Sequence, residues 1–345
     1  VMRTYQKISE LCRKLPLDQQ KQVLAMVQTM IDGQDIQDET ALTSRSKLPN
    51  PHCPYCGAGG HTRKMGTKAG KQRYQCTICH RTFTETTHTI MENSHATRSQ
   101  WKQVIIDTLD GQSIDHTASC IGLHHETVFN MRHKILIGMT KYLEEDPVVL
   151  KEIAELDETY VLESLKGSKF PDNAPRPPRR HGERANKRGL SGEQVCICAG
   201  VQRNHGAAFA STVNRAQPNK EEIRSAFDGH IGTGTVVFTD GAKSYGVLDE
   251  ILDCAVEKVS VEEQKQRKVA NLNNVNSFHS FIKERYGKYR GVATKYLNRY
   301  NMLFSSAFRD RAKMIDRFCE ALMTPGLIDY SVTNNDVEAH GLLDI

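Results

Sequence analysis

No stretch of this 345-residue chain approaches the twenty consecutive apolar residues that a membrane-spanning helix needs, so an integral membrane protein is not the expected class. It does not open on an apolar signal segment either. With that lacking, its ten cysteines are expected to be the reduced thiols of a cytoplasmic protein rather than a disulfide framework. Strong net charge is also missing: +5 is too small for its sum to define a partner, so its placement has to. Six cysteines (Cys12, Cys120, Cys196, Cys198, Cys254, Cys319) lack paired metal spacing, apart from Cys196-x-Cys198 on one face of an expected strand. These read as buried small hydrophobes.

The other four are different. Cys53-Pro-Tyr-Cys56 and Cys76-Thr-Ile-Cys79 are separated by nineteen residues, and C-x2-C-x19-C-x2-C is a spacing that brings four thiolates onto one zinc ion. Around them His61, Arg63, Lys64, Lys68, Lys71, Arg73 and Arg81 make the segment basic, as a ribbon lying on nucleic acid would be.

The length predicts two or three domains. Residues 1–46 carry Ile8, Leu11, Leu15, Val23, Leu24, Val27 and Ile31 at helical spacing around Pro16, which predicts short helices. A zinc ribbon is expected over 50–90. A helix-turn-helix is expected over 97–145, from the apolar face of Trp101, Val104, Ile105 and Leu109, the break at Gly111, and a second turn at Gly122. Its third helix would be the reader, placing His125, Glu126, Asn130 and Arg132 near base edges or phosphates. A three-helix packing unit without DNA contact is the alternative.

Beyond Pro147 the texture becomes α/β. Strands are expected at 155–162, 195–201, 207–213 and 235–239, with a crossover helix at 219–227 and longer helices at 274–286 and 295–314. That order is the order of a ribonuclease-H-like fold, here over 150–320, with a tail at 321–345. Between the first two strands, Lys166, Lys169, Arg176, Arg179, Arg180, Arg184, Lys187 and Arg188 crowd a stretch with four prolines and only two acids. Such a stretch cannot bury a core, and it reads as a basic loop that neutralises phosphates, with Lys166, Arg179 and Arg180 as its DNA contacts.

Two acids need a reason. Asp157 sits inside an otherwise strand-like run, and Asp240 ends Val236-Val237-Phe238-Thr239-Asp240-Gly241, where a strand meets a turn. Acids on adjacent strands can share Mg²⁺ or Mn²⁺, and two such ions about 4 Å apart clamp the attacking and leaving oxygens of a phosphoryl displacement. In the following helix Asn276 and Lys283 are seven residues apart, two turns on one face with His279 between them. Asn276 would offer an amide oxygen to a metal, and Lys283 would hold a DNA phosphate.

Asp157, Asp240, Asn276 and Lys283, the thirty-five residues between Asp240 and Asn276, and a four-cysteine ribbon ahead of a helix-turn-helix together resemble the ISXO-like group of DDE-type bacterial insertion-sequence transposases. The similarity runs from about Pro51 to Phe304 and includes Tyr296-Leu297-Asn298-Arg299-Tyr300-Asn301, similar to the group's closing helix. The resemblance implies a transposase that binds double-stranded DNA at the element's terminal repeats, hydrolyses a strand there, and lets the freed 3′-hydroxyl attack target DNA. It also implies a homo-oligomer on DNA and a bacterial, nucleoid-associated location. Where most members of the group have Glu, this chain has the neutral Asn276, and His279, Glu284 or the Glu262-Glu263 pair are placed to compensate. A transposase-derived DNA-binding regulator and a simple nuclease on the same fold are the competing readings.

Overall fold

The computed structural model describes residues 51–68, 70–167, 190–204, 207–251, 254–259, 271–289 and 291–339. The expected helices of residues 1–46, most of the basic loop with Arg179 and Arg180, and the Glu262-Glu263 pair lie outside these.

The first element is a three-stranded antiparallel sheet: β1 (Thr62–Lys68), β2 (Lys71–Cys76) and β3 (Thr82–Thr84). Its register places Thr62 opposite Cys76 and Tyr74 opposite Phe83. The buried apolar residues of this sheet are Cys53, Cys76 and Phe83. A core so small does not hold a fold without a staple.

Three helices follow, and the sequence marks each of their ends. Thr97 and Gln100 form a capping box at the start of α1 (Arg98–Asp110), and Gly111 ends it in the left-handed conformation at φ 74°. Ser113 caps α2 (Ile114–Ile121), and Gly122 stops it at φ 68°. The longer α3 (His125–Glu145) buries Val128, Met131, Ile135, Leu136 and Met139.

A mixed five-stranded sheet forms the rest of the core: β4 (Ile153–Leu162), β5 (Gln194–Gln202), β6 (Ala208–Arg215), β7 (Val236–Thr239) and β8 (Ala255–Lys258), in the order β6-β5-β4-β7-β8. β5 runs antiparallel to both of its neighbours, β4 and β6, while β4, β7 and β8 are mutually parallel. Parallel strands require crossovers, supplied by α4 (Lys220–Phe227) before β7 and α5 (Gly246–Ile251) before β8. This is a mixed α/β fold.

The period of two along the strands sorts side chains to two faces. Leu156, Cys196, Cys198, Phe209 and Val237 meet Ile223 and Phe227 of α4 and Tyr245, which precedes α5. Ile197, Ala199, Val201, Ala208, Ala210 and Phe238 face α6 (Asn273–Lys288) and α7 (Leu297–Met323), and this core continues through Trp101, Ile105, Met131 and Ile135. The three-helix unit and the sheet therefore share one apolar core across residue 147.

After α7 the chain does not trail away. Ile90 N–H donates to Leu322 O at 3.0 Å and Tyr330 N–H to His88 O at 3.0 Å, while Lys141 Nζ reaches Ser331 O at 3.1 Å. Val332 and, on α8 (Asn334–Ala339), Val337 pack on Ile137 of α3. Residues 324–339 are thus a strap over the helical unit and the segment that links it to the small sheet.

Candidate active site and metal centres

β4 pairs with β7 only as far as Glu155 opposite Phe238. Two residues further along both strands, the register brings Asp157 and Asp240 to the same level, just where β7 ends and Gly241 turns at φ 86°. Asp240 Oδ1 accepts the Ala242 N–H at 2.9 Å, so its side chain closes the turn. A third carboxylate joins them. Oxygen atoms of Asp157, Glu158 and Asp240 all lie within 4.8 Å of one another.

Neighbouring residues on a strand point to opposite faces. Asp157 belongs to the α6 face and Glu158 to the face of Tyr245; they converge with Asp240 because β7 has ended and nothing separates the two faces there. The Glu158 N–H donates to Asp157 Oδ1 at 2.9 Å, tying the pair together. Burial pushes the Asp157 carboxyl up to about 6, with Asp240 adding to it against the Glu158 backbone N–H and Lys283. Burial, then Asp157 and Asp240, push Glu158 up to about 7. Three acids in so small a space, with Lys283 opposing only part of the strain on Asp157, form a site that a cation would suit.

From the other side the site is bounded by α6. Its N-terminus has no side-chain cap of its own; instead Glu155, fully buried and on the same face of β4 as Asp157, accepts the N–H groups of Asn274 at 2.7 Å and Val275 at 3.1 Å. Arg203 Nε holds the other Glu155 oxygen at 2.7 Å, and its guanidinium also donates to Asn271 O at 2.7 Å. One turn on, His279 Nδ1 stands 3.8 Å from Asp157 Oδ2, and its Nε2 is buried with no hydrogen-bond partner. Burial, then the Lys283 charge, pull His279 down to about 4, so it is neutral at pH 7. Asn276 and Lys283 are exposed on α6, on the turn before and the turn after His279.

The sequence reasoning missed Glu158. Its signal was the pair Asp157-Glu158 at a strand position just past the end of the partner strand. Among the residues named as compensators, Glu284 is exposed and ion-paired to Lys288 at 2.7 Å, the next turn of the same helix, rather than to the acids.

The second cluster is that of Cys53, Cys56, Cys76 and Cys79, whose sulfurs also lie within 4.8 Å of one another. The Cys53–Cys79 and Cys56–Cys76 sulfurs are 3.6 and 3.7 Å apart. A zinc tetrahedron with ~2.3 Å bonds has edges of about 3.8 Å, so the four thiols fit that ion. The Cys79 and Ile78 backbone N–H groups hold the Cys76 thiol down to about 7, toward the thiolate a metal needs, against its burial.

The residues expected on DNA are dispersed. His125 is exposed and engaged by Asp115 Oδ1 at 2.6 Å, Asn130 is half-buried, and Lys166 is exposed at the foot of the loop beyond β4. Arg132 corrects the expectation. It is 1% exposed, donates to Gln112 O at 2.9 Å and lies over the Tyr289 ring, so it packs α3 rather than facing solvent. The helical period explains the miss: Val128, Arg132, Ile135 and Met139 form one stripe.

Residues 149–309 match the family described as ISXO2-like transposase domain. A protein of Halobacterium salinarum, described as uncharacterised and carried in the transposable element ISH50, is 26% identical over 257 residues, covering 73% of this chain and 83% of the relative. Among solved structures, the pre-cleavage Mos1 transpososome matches 65% of the chain and 78% of its own at 10% identity and a TM-score of 0.24. The Mos1 catalytic domain matches 56% and 93% at 9% identity and 0.25. A simian T-cell lymphotropic virus intasome matches 46% of this chain and 49% of its own, about half its length, at 9% identity and 0.28. These superpositions are too distant to transfer the role of any residue.

Proposed function

We propose that the chain is an insertion-sequence transposase that binds double-stranded DNA at element ends and carries out divalent-metal-dependent strand cleavage and strand transfer. The observation that carries this reading is the meeting of Asp157 and Asp240 at the end of β7 within a transposase-family domain. Asp157, Asp240 and the amide oxygen of Asn276 would hold Mg²⁺ or Mn²⁺, hard cations that suit oxygen donors. Once bound, such ions supply an activated water and neutralise charge at the displaced oxygen.

The chain's own groups do the rest. Lys283, exposed beside Asp157, holds a phosphate of the strand to be cut, and neutral His279 walls the acids off from the core without competing for charge. The four thiols hold a structural zinc that stiffens the small sheet, whose Arg63, Lys64, Lys71 and Arg73 contact backbone phosphates. His125 and Asn130 at the start of α3, with Lys166, Arg179 and Arg180 of the basic insert, add contacts along the duplex. Work on two ends at once implies a homo-oligomer on DNA.

The neutral Asn276 favours a second reading, a regulator that binds the same DNA without cutting it. Both readings are separated by incubating the full chain with DNA spanning the element's ends in Mg²⁺ and in chelator. Metal-dependent nicks at the ends support the transposase; retardation of the DNA with no nick in either condition supports the regulator.

A further inference from the structure

The carboxylate that the helix does not provide is supplied from the strand. Resting on the metal-dependent reading above, we propose that Glu158 is the third carboxylate ligand of the metal site, taking the charge role that the neutral Asn276 cannot fill. Two observations carry it independently. The first is geometric: from the opposite face of β4, Glu158 brings an oxygen within 4.8 Å of both Asp157 and Asp240.

The second lies behind it. Tyr245, fully buried three residues beyond the Ala242 turn, sets its hydroxyl beside the Glu158 carboxylate and favours the ionised form that a metal ligand needs, against the burial that raises it. On the other flank His279 Nδ1 faces Asp157 at 3.8 Å.

Charge decides between Glu158 and the helix. With only Asp157 and Asp240 ionised, the site offers two negative charges to one or two divalent cations, and Asn276 adds none; Glu158 raises the count to three, as a helix Glu would. The short reach from β4 makes the substitution of one carboxylate source for another structurally cheap. Asn276 is then free to orient water or DNA rather than to bind metal tightly.

The test is direct Mn²⁺ binding to the zinc-loaded full chain, without DNA, read from the paramagnetic signal of free Mn²⁺. The proposal expects Glu158→Gln to weaken binding by ~10-fold or more. It expects Asn276→Ala to weaken it less, and Glu158→Gln combined with Asn276→Glu to regain most of the loss. If Glu158→Gln unfolds, Glu158→Asp keeps the charge and withdraws the oxygen, and a clear loss of Mn²⁺ affinity is expected there too. Wild-type affinity in the folded Glu158 variants, alongside loss in Asp157→Asn, would overturn the role of Glu158 and leave the transposase reading standing. A wild-type chain that binds no Mn²⁺ would instead overturn both.

Discussion

Glu155 and Asn274 join a central strand to the helix that flanks the acids: the Asn274 N–H and side-chain amide donate to the two oxygens of Glu155 at 2.7 and 2.8 Å. Glu155 is two residues before Asp157 on β4, and Val275, which it also caps, is four before His279 on α6. Two strand steps and four helical steps both span about 6–7 Å. The cap therefore sets His279 opposite Asp157.

Glu155→Ala is expected to destabilise the chain by ~3–5 kcal/mol, because it removes a buried carboxylate that is ion-paired to Arg203 and uncaps α6. Denaturant unfolding measures this. A loss under ~1 kcal/mol, the range of an ordinary surface pair, would contradict the cap's role.

For the thiol cluster, Cys53→Ser or Cys76→Ser is expected to lower the zinc content from one per chain to none and to melt the small sheet, since three buried residues cannot hold it alone. Elemental analysis with circular dichroism reads both effects. A folded variant with full zinc would contradict the four-thiolate site.

The joint between α3 and α7 carries a pH dependence. Arg299 donates to His133 Nδ1 at 3.0 Å, which fixes the imidazole as a neutral acceptor. Burial first, then Arg299, Arg132 and Lys295, pull its pKa from 6.5 down to about 3. Below pH 6.5 the unfolded chain therefore takes up a proton that the native state refuses. Stability that is complete above that pH falls by about 1.4 kcal/mol per pH unit as acid is added. His133→Gln keeps an acceptor for Arg299 and removes this slope. Parallel pH dependences of wild type and variant would contradict it.

Gly111 closes α1 at φ 74°, and a Cβ there would come within 2.9 Å of an Arg285 nitrogen that donates to Leu109 O. Gly111→Ala is expected to cost ~1 kcal/mol, chiefly from backbone strain, with a smaller part from displacing Arg285. No loss of stability would show that the turn relaxes freely.

Much of this architecture is legible in the sequence, where local chemistry decides it. The strands expected at 155–162, 195–201, 207–213 and 235–239 are β4 to β7, because apolar runs bounded by turns have few other uses. The breaks at Gly111 and Gly122 are equally local. What was not legible depends on long-range register. β8 is short and mostly exposed, and it exists as a strand through its parallel pairing with β7. Glu158 enters the acidic cluster only because β7 stops one residue before Asp240. The strap of residues 324–339 reads as a polar tail until His88, Lys141 and Ile137 are found beneath it. Arg132 looked like a DNA contact because a cation on a reader helix usually is one; its burial follows from which stripe of α3 faces the shared core.

The measurement that tests the central claim most directly is a cleavage assay on the DNA flanking this gene, in Mg²⁺ or Mn²⁺, mapping 3′ ends for wild type and Asp157→Asn side by side. The account predicts discrete ends produced by wild type alone, with both proteins retarding the DNA to a similar extent. Cleavage by Asp157→Asn at the same positions would contradict it.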